Sequence, residues 1–248
     1  MSAQADFWHG RRVLLTGGAG FIGSSCLEEM LRRGAQVVVV DAFDETLYGE
    51  AIKRRNIESA RAVGDFVLEE VDLRDAQGMA SVFERHTFDA VIHLAARAGV
   101  RPSIKLAASY YDVNVTGTAT LMALAREAGI TRFALASSSS VYGRNTKTPF
   151  AEDDRVEAPA SPYAASKRAM ELMAKADQSL HGGHVACLRF FTVYGPRQRP
   201  DMAIHKFMRI IDHGDRIPMF GDGTSGRDYT YIDDIVAGVL ASLERVEG

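Results

Sequence analysis

Six short apolar runs, VLL (13–15), VVVV (37–40), FVLEEV (66–71), AVIHLA (90–95), RFALAS (132–137) and VACLRF (185–190), alternate along the chain with stretches of helical character. Runs this short, rich in β-branched residues and without strict polar alternation, suit strands covered on both faces, as in a parallel sheet. The intervening stretches predict helices over 21–33, 47–60, 76–85, 104–128 and 163–180. Strand and helix in alternation give an α/β chain with a doubly wound parallel sheet. Beyond Arg189, Pro196, Pro200, Gly214, Pro218, Gly221, Gly223 and Gly226 break the chain, with helices predicted near 201–213 and 233–245. The expected organisation is a sheet domain over 1–189 and a small, partial C-terminal substrate-side region over 190–248.

With 248 residues, 46% of them hydrophobic and 25% charged, the chain can bury a sizeable core. A net charge of -3 leaves no electrostatic footprint for nucleic acid or an anionic membrane. No apolar run approaches the roughly 18 residues of a bilayer span, and MSAQADFWHGRR lacks an apolar signal core, so a cytoplasmic location is expected. Cys26 and Cys187 fall in a predicted helix and strand, where small buried thiols are expected. No metal site is expected.

The first strand runs directly into TGGAGFIG, which places Gly17, Gly20 and Gly23 in GxxGxxG spacing, with Phe21 and Ile22 opening a helix. Glycines there allow a tight turn and a close backbone approach to a pyrophosphate, which the positive end of the helix then faces. The second strand ends in Asp41, 18 residues beyond Gly23, near the spacing of a carboxylate that binds the adenosine ribose hydroxyls. A carboxylate there repels a 2′-phosphate and favours NAD over NADP; the alternative is that Asp41 only ends a strand. Asp72 and Leu73, in VDLRD, are candidates for the adenine end, with a turn-forming Asp72 the alternative. His93-Leu94-Ala95-Ala96 closes the fourth strand with small residues beside the cofactor path, and His93 is read as packing rather than reacting.

Tyr163 and Lys167 stand four apart, on one face of the helix that begins after Ser161-Pro162. An ammonium beside a phenol lowers the phenol pKa toward a usable base. A hydroxyl cluster, Ser137 to Ser140, closes the preceding strand.

TGGAGFIG, HLAA, SSSSVYG, YAASK, RFFTVYGPRQRP and GRDYTYIDD, in this order from residue 11 onward, resemble the extended short-chain dehydrogenase/reductases, and within them the nucleotide-sugar 4-epimerases. The resemblance implies a Rossmann-like fold and puts the catalytic set at Ser138, Tyr163 and Lys167, with Asn114 as a residue that orders the site. It further implies that Tyr163 takes the sugar O4 proton while C4 is oxidised by bound NAD, and that reduction of the 4-keto sugar from the other face inverts the centre. Related dehydratases and decarboxylases carry acids where this chain has Ser139 and Ser140. Their absence favours simple epimerisation.

The segments AGVRPS (98–103) and FFTVYGPRQRPDMA (190–203) look most like UDP-glucuronate 4-epimerases. Arg101, Ser139, Ser140, Thr192 and Arg199 are the candidate sugar-side residues; Thr192 and Arg199 are expected to grip a C6 carboxylate. Arg197 or Arg199 serving the phosphates, or only solvating a loop, is the alternative. Arg227, in SGRDY, matches an arginine on the UDP diphosphate, with a surface ion pair to Asp228 or Asp234 as the alternative. The family pattern continues beyond Gly248, so a truncated or unusually short member is expected. Other UDP-hexose epimerases or oxidoreductases and a non-catalytic NAD-binding protein are the rival readings. A homodimer is implied, packed through the helices of Asn114 and Tyr163, with Ala107, Ala108, Leu121, Leu124, Ala164 and Met170 as supporting residues.

Overall fold

The structure, a computed structural model, describes residues 7–218, 221–224 and 226–246. The first six residues, part of the signal-peptide reading, and Gly248 lie outside the described residues. All six apolar runs form strands: β1 (Arg12–Thr16), β2 (Gln36–Val40), β3 (Val67–Glu69), β4 (Ala90–His93), β5 (Arg132–Ala136) and β6 (His184–Leu188). They pair in parallel in the order β3-β2-β1-β4-β5-β6. Successive side chains of a strand point to opposite faces, and here both faces are apolar. Val13, Leu15, Val37, Val39, Ala90 and Ile92 join one core cluster. Leu14, Val38, Val40, Val91, Phe133 and Leu135 join the other.

Helices α1 (Phe21–Arg32), α2 (Glu50–Arg61) and α3 (Ala76–Arg85) follow the first three strands within two or three residues of expectation. The single helix expected over 104–128 is instead four pieces. They are α4 (Val100–Lys105), α5 (Ala107–Tyr111), a π-helical segment (Asp112–Gly117) and α6 (Thr118–Glu127). Leu106, at φ -118 and ψ 30, breaks the first two apart. The π segment seats Gly117 against Leu73, where a Cβ would come within 2.8 Å of the leucine side chain.

Helix α7 (Pro162–His181) starts where Ser161-Pro162 placed it, with Ser161 Oγ accepting from Ala164 N at 3.1 Å. A two-stranded parallel sheet of β7 (Thr192–Tyr194) and β8 (Tyr229–Tyr231) flanks the main one, with α8 (Ala203–Asp212) between them in sequence. The last helix, α9 (Ile232–Arg245), packs against α1 and the back of the sheet. Its Ile232, Val236, Val239, Leu240 and Leu243 share the core with β1 and β2. The C-terminal stretch thus contributes to the main core.

Leu121, Ala164 and Met170 are buried in the protein's own core, so they do not support a subunit contact. Val100, Ile104, Leu106, Tyr111, Leu172 and Leu180 are the exposed large apolar residues along those helices. Among the described residues no helix is long and apolar enough to cross a membrane.

Candidate active site

Between β1 and β4 the strand order reverses, and ligands of open α/β sheets bind beyond the strand C-termini at such a point. There the ends of β1, β2, β4 and β5 border a cleft of about 470 Å³. Gly17, Gly20, Phe21, Ile22 and Gly23 line it. Gly17 sits at φ +73, and a Cβ on it would lie 2.6 Å from Ala95 N. A Cβ on Gly23 would lie 2.1 Å from Gly17 O. No side chain caps α1 at Gly20, so its first-turn N–H groups are left for an anion. The turn therefore fits a dinucleotide pyrophosphate.

Asp41 lies on the same cleft, almost fully buried. Its Oδ2 accepts from Ala19 N at 3.0 Å and its Oδ1 from Phe43 N at 2.9 Å. It thus both ends the strand and ties down the glycine turn, while each oxygen keeps a further lone pair. Burial raises its pKa, opposed first by Lys53, whose Nζ stands 4.0 Å away. Asp72, Leu73, Leu94, Ala95 and Ala96 complete the expected lining. Asp72 is held by Arg74 at 2.7 and 3.0 Å within its own turn, which keeps its pKa below the usual range.

His93 stays outside the cleft. Its two ring nitrogens meet Thr16 Oγ1 at 2.6 Å and Thr118 Oγ1 at 2.9 Å, and burial pushes its pKa down to about 3. Asn114, expected beside the cofactor, does not line the cleft either. Its Oδ1 accepts from Arg97 N at 2.7 Å, and its Nδ2 donates to Arg97 O at 3.0 Å and Ser166 Oγ at 2.9 Å. It orders the site by tying the loop after β4 to α7.

Ser138, Tyr163 and Lys167 converge on the other end of the cleft. Lys167 is 2% exposed, with Nζ donating to Ala136 O at 2.7 Å, and burial brings its pKa down to about 7. Burial raises the Tyr163 pKa, while a hydrogen bond with Ser138 and the charge of Arg199 pull it back. Arg199 thus acts on the phenol as a cation that the sequence did not point to. Tyr110 supports Tyr163 with an edge-on ring 6.2 Å away, its own hydroxyl donating to Ala98 O at 2.7 Å.

Behind Ser138 lies a polar knot that sequence reading missed. Glu171, one turn beyond Lys167, accepts from Ser137 Oγ at 2.6 Å, from Arg189 at 3.0 and 3.1 Å, and from Arg168 at 3.0 Å. Burial opposes its charge, yet these donors hold its pKa below the usual carboxylate range.

Of the sugar-side candidates, only Arg199 lines the cleft. Asp201 grips its Nε at 2.9 Å and one terminal nitrogen at 2.7 Å, leaving the outer guanidinium edge for another anion. Ser139 and Ser140 form a single turn of 3-10 helix after Ser138, and Thr192 sits on β7; all three are half-buried and outside the lining. Arg101 and Arg227 are exposed and also outside it, Arg227 donating to Gly226 O at 2.8 Å. Asp44, Tyr48, Arg97, Phe190, Phe191 and Met202 line the cleft unanticipated. The motif segment 190–203 contained Phe190, Phe191 and Met202 without giving them a role, Tyr48 fell in the helix predicted over 47–60, and Asp44 and Arg97 lie on loops without periodicity.

Residues 13–248 match the NAD dependent epimerase/dehydratase family. The chain is 42% identical to a UDP-glucuronate 4-epimerase of Thermodesulfobacterium geofontis, over 93% of this chain and 71% of that one. It is 43% identical to UDP-glucuronate 4-epimerase 3 of Arabidopsis thaliana, over 99% of this chain and 58% of that one. The chain thus spans little more than half the length of such plant relatives. Among solved structures it is similar to the Bacillus cereus UDP-glucuronic acid 4-epimerase in complex with UDP-glucuronic acid and NAD (TM-score 0.87, 34% identity, 95% of this chain and 74% of that one). It also resembles Thermus thermophilus UDP-glucose 4-epimerase in complex with NAD (TM-score 0.84, 33% identity, 96% of this chain and 76% of that one). With that match over nearly its whole length and the glycine turn, serine, tyrosine and lysine gathered on one cleft, the chain belongs to the NAD dependent epimerase/dehydratase family.

Proposed function

We propose that the chain is an NAD-dependent UDP-sugar 4-epimerase that interconverts UDP-glucuronate and UDP-galacturonate through a transient 4-keto sugar. The observation that carries this reading is the placement of Ser138, Tyr163, Lys167 and Arg199 on the cleft that the glycine turn opens. NAD, when bound there, supplies the reversible oxidant for C4. Tyr163 then accepts the O4 proton and later returns it, Ser138 hydrogen-bonds O4 as its charge changes, and Lys167 holds the nicotinamide ribose. Arg199, fixed by Asp201, offers its outer edge to the C6 carboxylate. Gripping that carboxylate also matters because a 4-keto uronate is a β-keto acid, which loses CO2 if its C5–C6 bond aligns with the carbonyl π system. Ser139 and Ser140 supply no acid for elimination.

The same reading carries a homodimer packed through the exposed Ile104, Leu106, Tyr111 and Leu172, and a location in the cytoplasm, consistent with unpaired Cys26 and Cys187. Initial rates with UDP-glucuronate and UDP-glucose test the substrate. A preference of at least tenfold for the glucuronate is expected, and equal rates contradict the carboxylate clamp.

A further inference from the structure

Two cleft residues with no role in the chemistry above face one another across it. Arg97 follows β4, and Asp44 and Thr46 follow β2. The Arg97 guanidinium donates to Asp44 Oδ2 at 2.8 Å and to Thr46 Oγ1 at 2.8 Å, spanning more than fifty residues of sequence. In the sheet β1 lies between β2 and β4, so this pair bridges two strands that are not neighbours. Strands separated by one other lie roughly 10 Å apart. What the bridge crosses is the C-terminal end of β1, where the glycine turn begins. The loop from β2 also closes on that turn, for the Tyr48 hydroxyl is 3.9 Å from where a Gly20 Cβ would be.

Arg97 is placed to hold such a bridge. Its backbone is locked on both sides by Asn114, and Asn114 is bonded to Ser166 on the helix of Tyr163. Its side chain is only 13% exposed, and its Nε is buried without a hydrogen-bond partner. Asp44 is likewise fixed, accepting from Thr46 N at 2.9 Å while Lys53 Nζ bonds its carbonyl at 2.7 Å. A dinucleotide running from Asp41 to Tyr163 along the strand ends has to pass the line joining Asp44 and Arg97.

We propose that Arg97 and the Asp44–Thr46 loop form a clasp that closes over the bound dinucleotide at the glycine turn and sets how slowly it leaves. The proposal rests on the reading of this cleft as the NAD site. An epimerase that re-oxidises its reduced cofactor to the starting state within each turnover has no need to release it between turnovers, and a clasp across the exit suits that economy.

The test is NAD release. Purified protein is saturated with NAD, transferred into an NAD-scavenging buffer, and bound NAD is followed over time, alongside equilibrium NAD affinity and thermal unfolding. Hydrogen bonds to charged groups contribute about 1.5–3 kcal/mol, so Arg97→Ala and Asp44→Ala are each expected to speed release by roughly 10- to 100-fold. Thr46→Val, which removes only one bond, is expected to give a smaller acceleration in a protein that unfolds like the parent. The charge-swapped pair Arg97→Asp with Asp44→Arg is expected to recover slow release in part. Unchanged release in all single variants that still bind NAD overturns the clasp alone. Failure of the parent to bind NAD overturns the cleft assignment and the clasp with it.

Discussion

Replacing Glu171 by alanine should destabilise the protein and displace Ser138 at the same time. Glu171 is 6% exposed and its carboxylate accepts four hydrogen bonds, from Ser137, Arg168 and the Nε and Nη2 of Arg189. Removing one partner of a buried ion pair costs about 3–5 kcal/mol, because the other charge stays behind without compensation. Arg189 keeps the Glu152 carbonyl at 3.1 Å and the face of the Tyr142 ring at 5.0 Å. The lower end, about 3 kcal/mol, is therefore expected for Glu171→Ala, or roughly 6–12 °C in Tm. Glu171→Gln keeps an acceptor for Ser137 and should cost about half as much. In the double variant with Arg189→Ala the two losses should fall short of additive by roughly 1.5–3 kcal/mol. Urea unfolding of the parent and the four variants supplies these values, and NAD content with kcat supplies the second readout. The Ser137 hydroxyl loses a 2.6 Å acceptor directly beside Ser138, so kcat should fall in Glu171→Ala while NAD content holds. A loss below about 1 kcal/mol, or additive losses in the double variant, would refute this picture of the knot.

The buried His93 should make the protein acid-sensitive. Its folded pKa, near 3, lies below the ordinary 6.5, so the unfolded chain takes up a proton first and stability falls as pH drops below 6.5. The loss should reach about 2 kcal/mol at pH 5 relative to pH 8, and His93→Gln should remove that slope; an unchanged slope assigns it to other groups. Alanine scanning of the glycine turn should weaken NAD binding in the order Gly23, Gly17, Gly20. A new Cβ meets backbone at 2.1 Å, 2.6 Å and 3.2 Å respectively, and equilibrium titration that finds Gly20→Ala the worst contradicts the fitted turn. Arg199→Met should lower kcat/KM for UDP-glucuronate by roughly 10- to 100-fold more than for UDP-glucose, as expected for one lost charge-assisted contact. Equal losses on both sugars place Arg199 on the shared nucleotide instead.

Most of the sheet was legible because its central strands, β1, β2, β4 and β5, are buried on both faces. Runs such as VVVV carry that burial in composition alone. The glycine turn and the Tyr163-Lys167 pair were legible because their chemistry depends on spacing within a few residues. What escaped depends on distance. Nothing near Asp44 or Arg97 in the sequence announces a partner over fifty positions away, and Glu171 reads as one more charge on a helix until β6 brings Arg189 beside it. Helical periodicity over 104–128 also hid the break at Leu106 and the π segment, since a local change of backbone leaves the apolar pattern nearly intact. Arg101 and Arg227 were drawn in by motif alone, and the fold leaves both side chains exposed.

The most direct test of the transient 4-keto route is to supply UDP-glucuronate deuterated at C4 and follow the label into product. UDP-galacturonate that keeps its C4 deuterium, formed without NADH accumulation, is the expected result, because the hydrogen leaves and returns within one closed site. Loss of the label to solvent, or NADH accumulating in step with product, would contradict it.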